Sequence, residues 1–169
     1  MLPPSKMVFS VILEADWFVI EGRNYLKKLA FCCPSLEKFG EYSFSLPEFA
    51  CKHQRKLLLQ ARHSHGLVWH SFGEYSHYQV PVALEELFQK LGKRPCELKF
   101  YAKGDQKCEL LEKFVPEVSN LEDFDCPTYE KISLLPKSTI NKAVFFGLWL
   151  VSSMSPTSSQ LRKLAVCSI

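Results

Sequence analysis

Val8-Phe9-Ser10-Val11-Ile12-Leu13, followed by Glu14 and Asp16, is the stretch on which the fold turns. An unbroken apolar run rich in β-branched residues reads as a strand covered on both faces rather than one. The two carboxylates stand at its far end. Glu21-Gly22-Arg23-Asn24 is a turn signal, and Tyr25 to Cys33, closed by Pro34, is a second strand. Glu41 to Leu46 alternates polar and apolar residues, as a half-buried strand does. Three strands joined by short turns form an antiparallel meander.

Pro47 ends that run. Glu48 to Arg62 carries Phe49, Leu57, Leu58 and Ala61 at helical spacing, and His63 to Tyr78 reads as loop. Pro81 to Leu91 is a helix with Leu84, Leu87, Phe88 and Leu91 on one stripe and Gly92 as its stop. Leu98 to Ala102 is a fourth strand, Gly104 to Phe114 a helix, Val118 to Leu121 a fifth strand and Ile140 to Val151 a last helix. The fold class is therefore α/β: a three-stranded antiparallel meander followed by a β-α-β-α unit, the order of the ribonuclease-H-like fold. Residues 1–151 form one domain, and residues 152–169 are a basic, Ser-rich, flexible tail.

The 169 residues are 47% hydrophobic and 23% charged, which suits one packed domain and disfavours disorder. Net charge is +3, unevenly spread. All 18 acids precede residue 131, while Lys131, Lys137, Lys142, Arg162 and Lys163 come after the last of them. A near-neutral body with a basic end lacks the basic face of a strong nucleic-acid binder. Seven cysteines without a C-x-x-C pair, and a start without a signal-peptide pattern, are read as free thiols of an intracellular protein, nuclear or cytoplasmic. The apolar stretch 140–154 is shorter than the ~20 residues that span a bilayer, so no membrane partner is expected.

Five stretches carry a resemblance: Leu13 to Phe18, Tyr25 to Ala30, His65 to His70, Tyr101 to Lys107 and Asn120 to Pro127. In order and spacing they resemble a group of uncharacterised, mobile-element-associated proteins, themselves similar to DEDD-type 3′–5′ exonucleases of ribonuclease-H-like fold. The resemblance implies carboxylates that hold Mg²⁺ or Mn²⁺ for phosphodiester cleavage, as two-metal sites do. Glu14, with Asp16 as the near alternative, matches the first-strand acid; Asp105 and Asp123 are the other vestigial catalytic candidates. The match fails elsewhere. The family's Lys-Glu-Leu-Ala is Lys27-Lys28-Leu29-Ala30 here, with a cation where an acid should face a metal. The late His and Asp have no counterpart after residue 130. The implied function is an inactive, exonuclease-like domain that binds single-stranded nucleic acid or acts as a scaffold, or a mobile-element relic. The alternative is an active metal-dependent exonuclease.

Other constellations are weaker. His53, His63, His65, His70 and His77, with Cys51, could make a zinc-stabilised interaction domain, but no spacing matches a zinc module, and no metal is assigned. Cys126 matches one ligand of the Maelstrom-type zinc set, whose late His is again missing. Cys51 and His53 face apart on a helix, Ser71-Phe72-Gly73 is no nucleophile elbow, and Gly104 is read as turn geometry. Trp17, Phe18, Trp69, Tyr75, Tyr78 and Tyr101 mix with Arg62, His70 and Lys103. Of these, Arg62, Trp69, His70 and Lys103 are the candidate nucleic-acid contacts, Trp69 being the aromatic expected in the open.

Overall fold

The computed structural model describes residues 7–129 and 138–154, with side chains to residue 152. The expected tail lies almost wholly outside the described residues, as do Lys131, Lys137 and Cys167. Six strands form one mixed sheet: β1 (Phe9–Ile20), β2 (Arg23–Cys33), β3 (Lys38–Ser45), β4 (Tyr75–Ser76), β5 (Leu98–Ala102) and β6 (Val118–Asn120), in the spatial order β4-β3-β2-β1-β5-β6. The meander is antiparallel, whereas β5 runs parallel to β1 and β6 parallel to β5. The four described α-helices are α1 (Gln54–His63), α2 (Val80–Leu91), α3 (Asp105–Leu111) and α4 (Thr139–Met154).

β1 continues well past Leu13. Glu14 and Asp16 therefore lie within a twelve-residue strand rather than at its end. The apolar run stops at Leu13, but alternation carries the strand on. Val11, Leu13 and Ala15 face one layer, built by Val80, Ala83, Leu84 and Leu87 of α2 with Cys108, Leu110 and Leu111 of α3. Ile12 faces the other, built by Ala143, Val144, Phe146 and Leu148 of α4. Glu14 and Asp16 share the parity of Ile12, so successive side chains place them on the α4 side. The far end of β1, with Phe18 and Ile20, packs on Ala50, Leu57 and Ala61.

Three other boundaries moved. The first six residues of the 48–62 segment are a 3-10 turn before α1, and α3 ends at Leu111. The predicted loop 63–78 contains β4, which pairs with β3. Gly92, at φ 65°, caps α2 in the left-handed region as read from the sequence. Gly147 lets α4 lie close on β2, since a Cβ there would stand 2.8 Å from Cys32 Sγ.

The β1–β2 ladder slips by one residue between Asp16 and Trp17, because Asp16 faces Lys28 while Trp17 faces Leu26. Lys27 is the extra residue, a bulge that turns its side chain inward. Its ammonium is buried and donates to the carbonyls of Phe44 and Ser71, tying the 64–74 loop to the sheet. Burial, with the charge of Lys28, brings its pKa down to about 8.

Leu13 is fully buried between sheet and helices, whereas Val82 is 52% exposed on α2. Leu13→Ala should cost about 2–5 kcal/mol, and Val82→Ala no more than about 0.5 kcal/mol. Urea unfolding followed by circular dichroism measures both, and equal losses would contradict a sheet buried on both faces.

Candidate functional site

β1 pairs with β5 only over Phe9–Ile12. From Leu13 onward no described strand lies against that edge. Side chains from α1 and the loop behind it supply the missing partners. Val19 N–H donates to Gln60 Oε1 (2.8 Å), and Gln60 Nε2 donates to Val19 O (2.7 Å). His65 accepts the Leu67 amide through Nδ1, which leaves Nε2 to donate to Trp17 O at 3.0 Å. A cavity of about 440 Å³ opens along this edge, lined by Asp16, Trp17, Gln60, His63, His65, Gln106, Lys107 and Lys142, among others. It lies where β1 outruns β5 beside the start of α3. Open α/β sheets place ligands in such crevices, at the carboxyl ends of parallel strands.

Glu14 is fully buried beside this cavity. Lys107, reaching over from α3, donates its ammonium to Glu14 Oε1. Glu14 Oε2 has no hydrogen-bond partner among the described residues. Burial raises the pKa of the carboxyl above its ordinary value; the charge and hydrogen bond of Lys107 and the field of Lys142 oppose this, and Asp16 adds a small push upward. Desolvation thus outweighs the ion pair, a common balance for a charge taken wholly out of water. Asp16 is half-buried, and its Oδ2 accepts a hydrogen bond of 2.6 Å from Thr139 Oγ1 at the start of α4.

Of the four candidate acids, only Glu14 and Asp16 come together. Asp105 opens α3 and accepts Asn120 Nδ2 at 2.8 Å, and Asp123 is exposed in the turn after β6. Both act on Cys108 of α3, where they help raise that thiol to about 11, behind the larger effects of burial and Glu112. Neither figures among the charges that act on Glu14. Lys28 shares the sheet face of Asp16, but its ammonium pairs with Glu41 of β3 at 3.3 Å. The cation that meets the first-strand acid is Lys107, which had no assigned role in the sequence. No spacing rule links positions 14 and 107; only the β1–β5 pairing and the short β5–α3 turn bring them together.

The candidate nucleic-acid residues are scattered. Arg62 is exposed at the end of α1, next to His63 of the cavity wall. Trp69 is not the open aromatic expected: it packs on the Phe18 cluster with its ring edge-on to His70, and Phe72 (95% exposed) and Tyr78 (72%) are the bare ones. Lys103 donates to Cys126 O and Pro127 O, each at 2.8 Å. Among the described residues no three His, Cys, Asp or Glu side chains gather as metal ligands. His65 has both ring nitrogens engaged, His53 pairs with Glu21, His77 lies edge-on to Tyr25, and Cys51 is exposed. No described helix is long and apolar enough to cross a membrane. No family model, curated protein or solved structure matches the chain.

A carboxyl whose folded-state pKa is raised binds its proton more tightly in the folded protein. Its contribution to stability therefore falls as pH rises from the ordinary value of 4.5 through the folded value. Glu14→Gln removes that loss. The stability of the variant relative to wild type should grow between pH 4 and pH 8, read from urea midpoints at fixed salt. Wild type gaining on the variant over the same range would mean that Lys107 outweighs desolvation.

Proposed function

We propose that this chain is a ribonuclease-H-like domain, related to the DEDD-type exonucleases, that does not cleave and binds single-stranded nucleic acid along the open edge of β1. The observation that carries the reading is the Lys107 ammonium on Glu14, at the acid that would hold a metal ion in a working nuclease. The sheet order β3-β2-β1-β5-β6, with the short β4 outside β3, supports the fold assignment.

A two-metal nuclease works by drawing several carboxylates onto two dications about 4 Å apart, which clamp the attacking and leaving oxygens. Here one acid is sealed and bridged by a lysine, and the second is bonded to Thr139. Neither of the other two candidate acids is among the charges that act on Glu14. An ammonium beside the carboxylate repels a dication and already satisfies the oxygen the metal needs. The same lysines suit a different ligand. Lys107, Lys142 and Trp17 put two cations and an aromatic ring into the lining of one groove. Phosphates are held by such cations and bases by such rings, without sequence preference. Arg62 and His63 extend the groove at its rim.

Labelled single-stranded DNA and RNA incubated with Mn²⁺ should remain intact with wild type and with Glu14→Gln alike. The same oligonucleotides should be retained in a filter-binding assay, with affinity falling as salt rises. Degradation by wild type that Glu14→Gln abolishes would overturn the reading in favour of an active exonuclease.

A further inference from the structure

Lys107 and Lys142 form a shared wall. On their other side lies a second, smaller cavity of about 160 Å³, between the β5–α3 turn, the 121–129 segment and α4. Lys103, Lys107 and Lys142 enter it from three different elements, together with Glu122, Tyr129 and Phe146. We infer that this cavity is a phosphate-binding subsite, separate from the groove along β1 and built around Lys103.

Lys103 is held in place before any ligand arrives. Its ammonium donates to the carbonyls of Cys126 and Pro127 and stands 5.7 Å from the centre of the Phe146 ring. Both carbonyls are neutral, an ammonium has three donors, and among the described residues no carboxylate pairs with this lysine. Its charge is therefore ordered and half-buried, with no carboxylate paired to it among the described residues. Three ammonium groups and the Glu122 carboxyl are among the described residues that line the cavity, and Lys107 also pairs with Glu14. The volume is well below the roughly 300–1,000 Å³ of pockets that enclose a whole small molecule, so it suits one phosphate group and excludes a base. Ordered lysines meeting in a recess raise the affinity for an anion above that of scattered surface lysines, because less side-chain freedom is lost on binding.

Two sources share this chemistry: free phosphate, and a phosphate of the nucleic-acid backbone. Only the second rests on the function proposed above. Both are tested with the whole chain. In the first arm, ¹⁵N-labelled protein is titrated with inorganic phosphate. The Thr128 and Tyr129 amide signals should shift and saturate, with the dissociation constant at least about fivefold weaker in Lys142→Gln and unchanged in Lys56→Gln, an exposed control on α1. Lys103→Met should lose the shifts altogether; because that side chain also holds two carbonyls, Lys142→Gln is the deciding variant if Lys103→Met does not fold. No shifts in wild type, or equal constants in wild type and Lys142→Gln, would overturn the subsite. In the second arm, binding of a fluorescent oligothymidylate is followed by anisotropy against salt. Loss of one phosphate contact in Lys142→Gln should reduce the slope of log K against log salt by about 0.7. Phosphate shifts without oligonucleotide binding, or with an unchanged slope, uphold the subsite as one for free phosphate. Oligonucleotide binding without phosphate shifts leaves the nucleic-acid reading standing and removes the subsite.

Discussion

The site depends on one interaction, the contact between the Lys107 ammonium and the sealed carboxyl of Glu14. A carboxylate on the middle strand of a two-layered sheet is costly to bury unless a cation or a bound metal meets it. Lys107 does so from α3, spanning the gap left where β5 stops and β1 continues. Its cover is incomplete, since Glu14 Oε2 has no partner among the described residues and burial still raises the pKa of the carboxyl. That imbalance is tolerable because only one group is involved and the surrounding strand is packed on both faces. It also sets a condition on any dication: to reach Glu14 Oε1 it would have to displace the Lys107 ammonium.

The open edge of β1 follows from the same geometry. A strand of twelve residues beside a parallel partner of five leaves part of its length without a neighbour. Gln60 and His65 satisfy the backbone at Trp17 and Val19 through side chains instead of a ladder, as buried or half-buried peptide groups require. Side-chain partners leave space that a strand would fill, and the larger cavity occupies it. Lys107 and Lys142 then separate this groove from the smaller recess around Lys103. The two adjacent cavities, about 440 and 160 Å³, thus share two cations.

Much of the fold was legible in the sequence, and the reasons are local. The Pro81–Gly92 helix carries its own start, stripe and stop, and the meander carries its turns. Phe9 to Leu13 read as a strand, but Val8 lies exposed outside it and the apolar run ends seven residues before the strand does. Glu14 and Asp16 broke the hydrophobic pattern without breaking the backbone extension, because Lys107 and Thr139 satisfy them. β4 was hidden in a polar, His- and Ser-rich stretch, since a two-residue strand has no period to detect. Of the site, Glu14 and Asp16 are matched by the resemblance and lie on one strand, while Asp105 and Asp123 are not among the charges acting on Glu14. Lys28 was singled out as the intruding cation, yet pairing with Glu41 draws it sideways along the sheet. Lys107, Lys142 and Thr139 could not be found from spacing, because they meet β1 only through tertiary packing.

The central claim is that a lysine, and not a metal ion, meets the buried acid of β1. Paramagnetic broadening by Mn²⁺ tests it most directly, since the effect reports how near the ion comes to each backbone amide. With equimolar Mn²⁺, the Ala15 and Trp17 amide signals of wild type should stay sharp, and Lys107→Gln should broaden them by freeing Glu14 for the ion. Strong broadening of both signals in wild type, lost in Glu14→Gln, would show a metal seated where the account puts Lys107 and would contradict it.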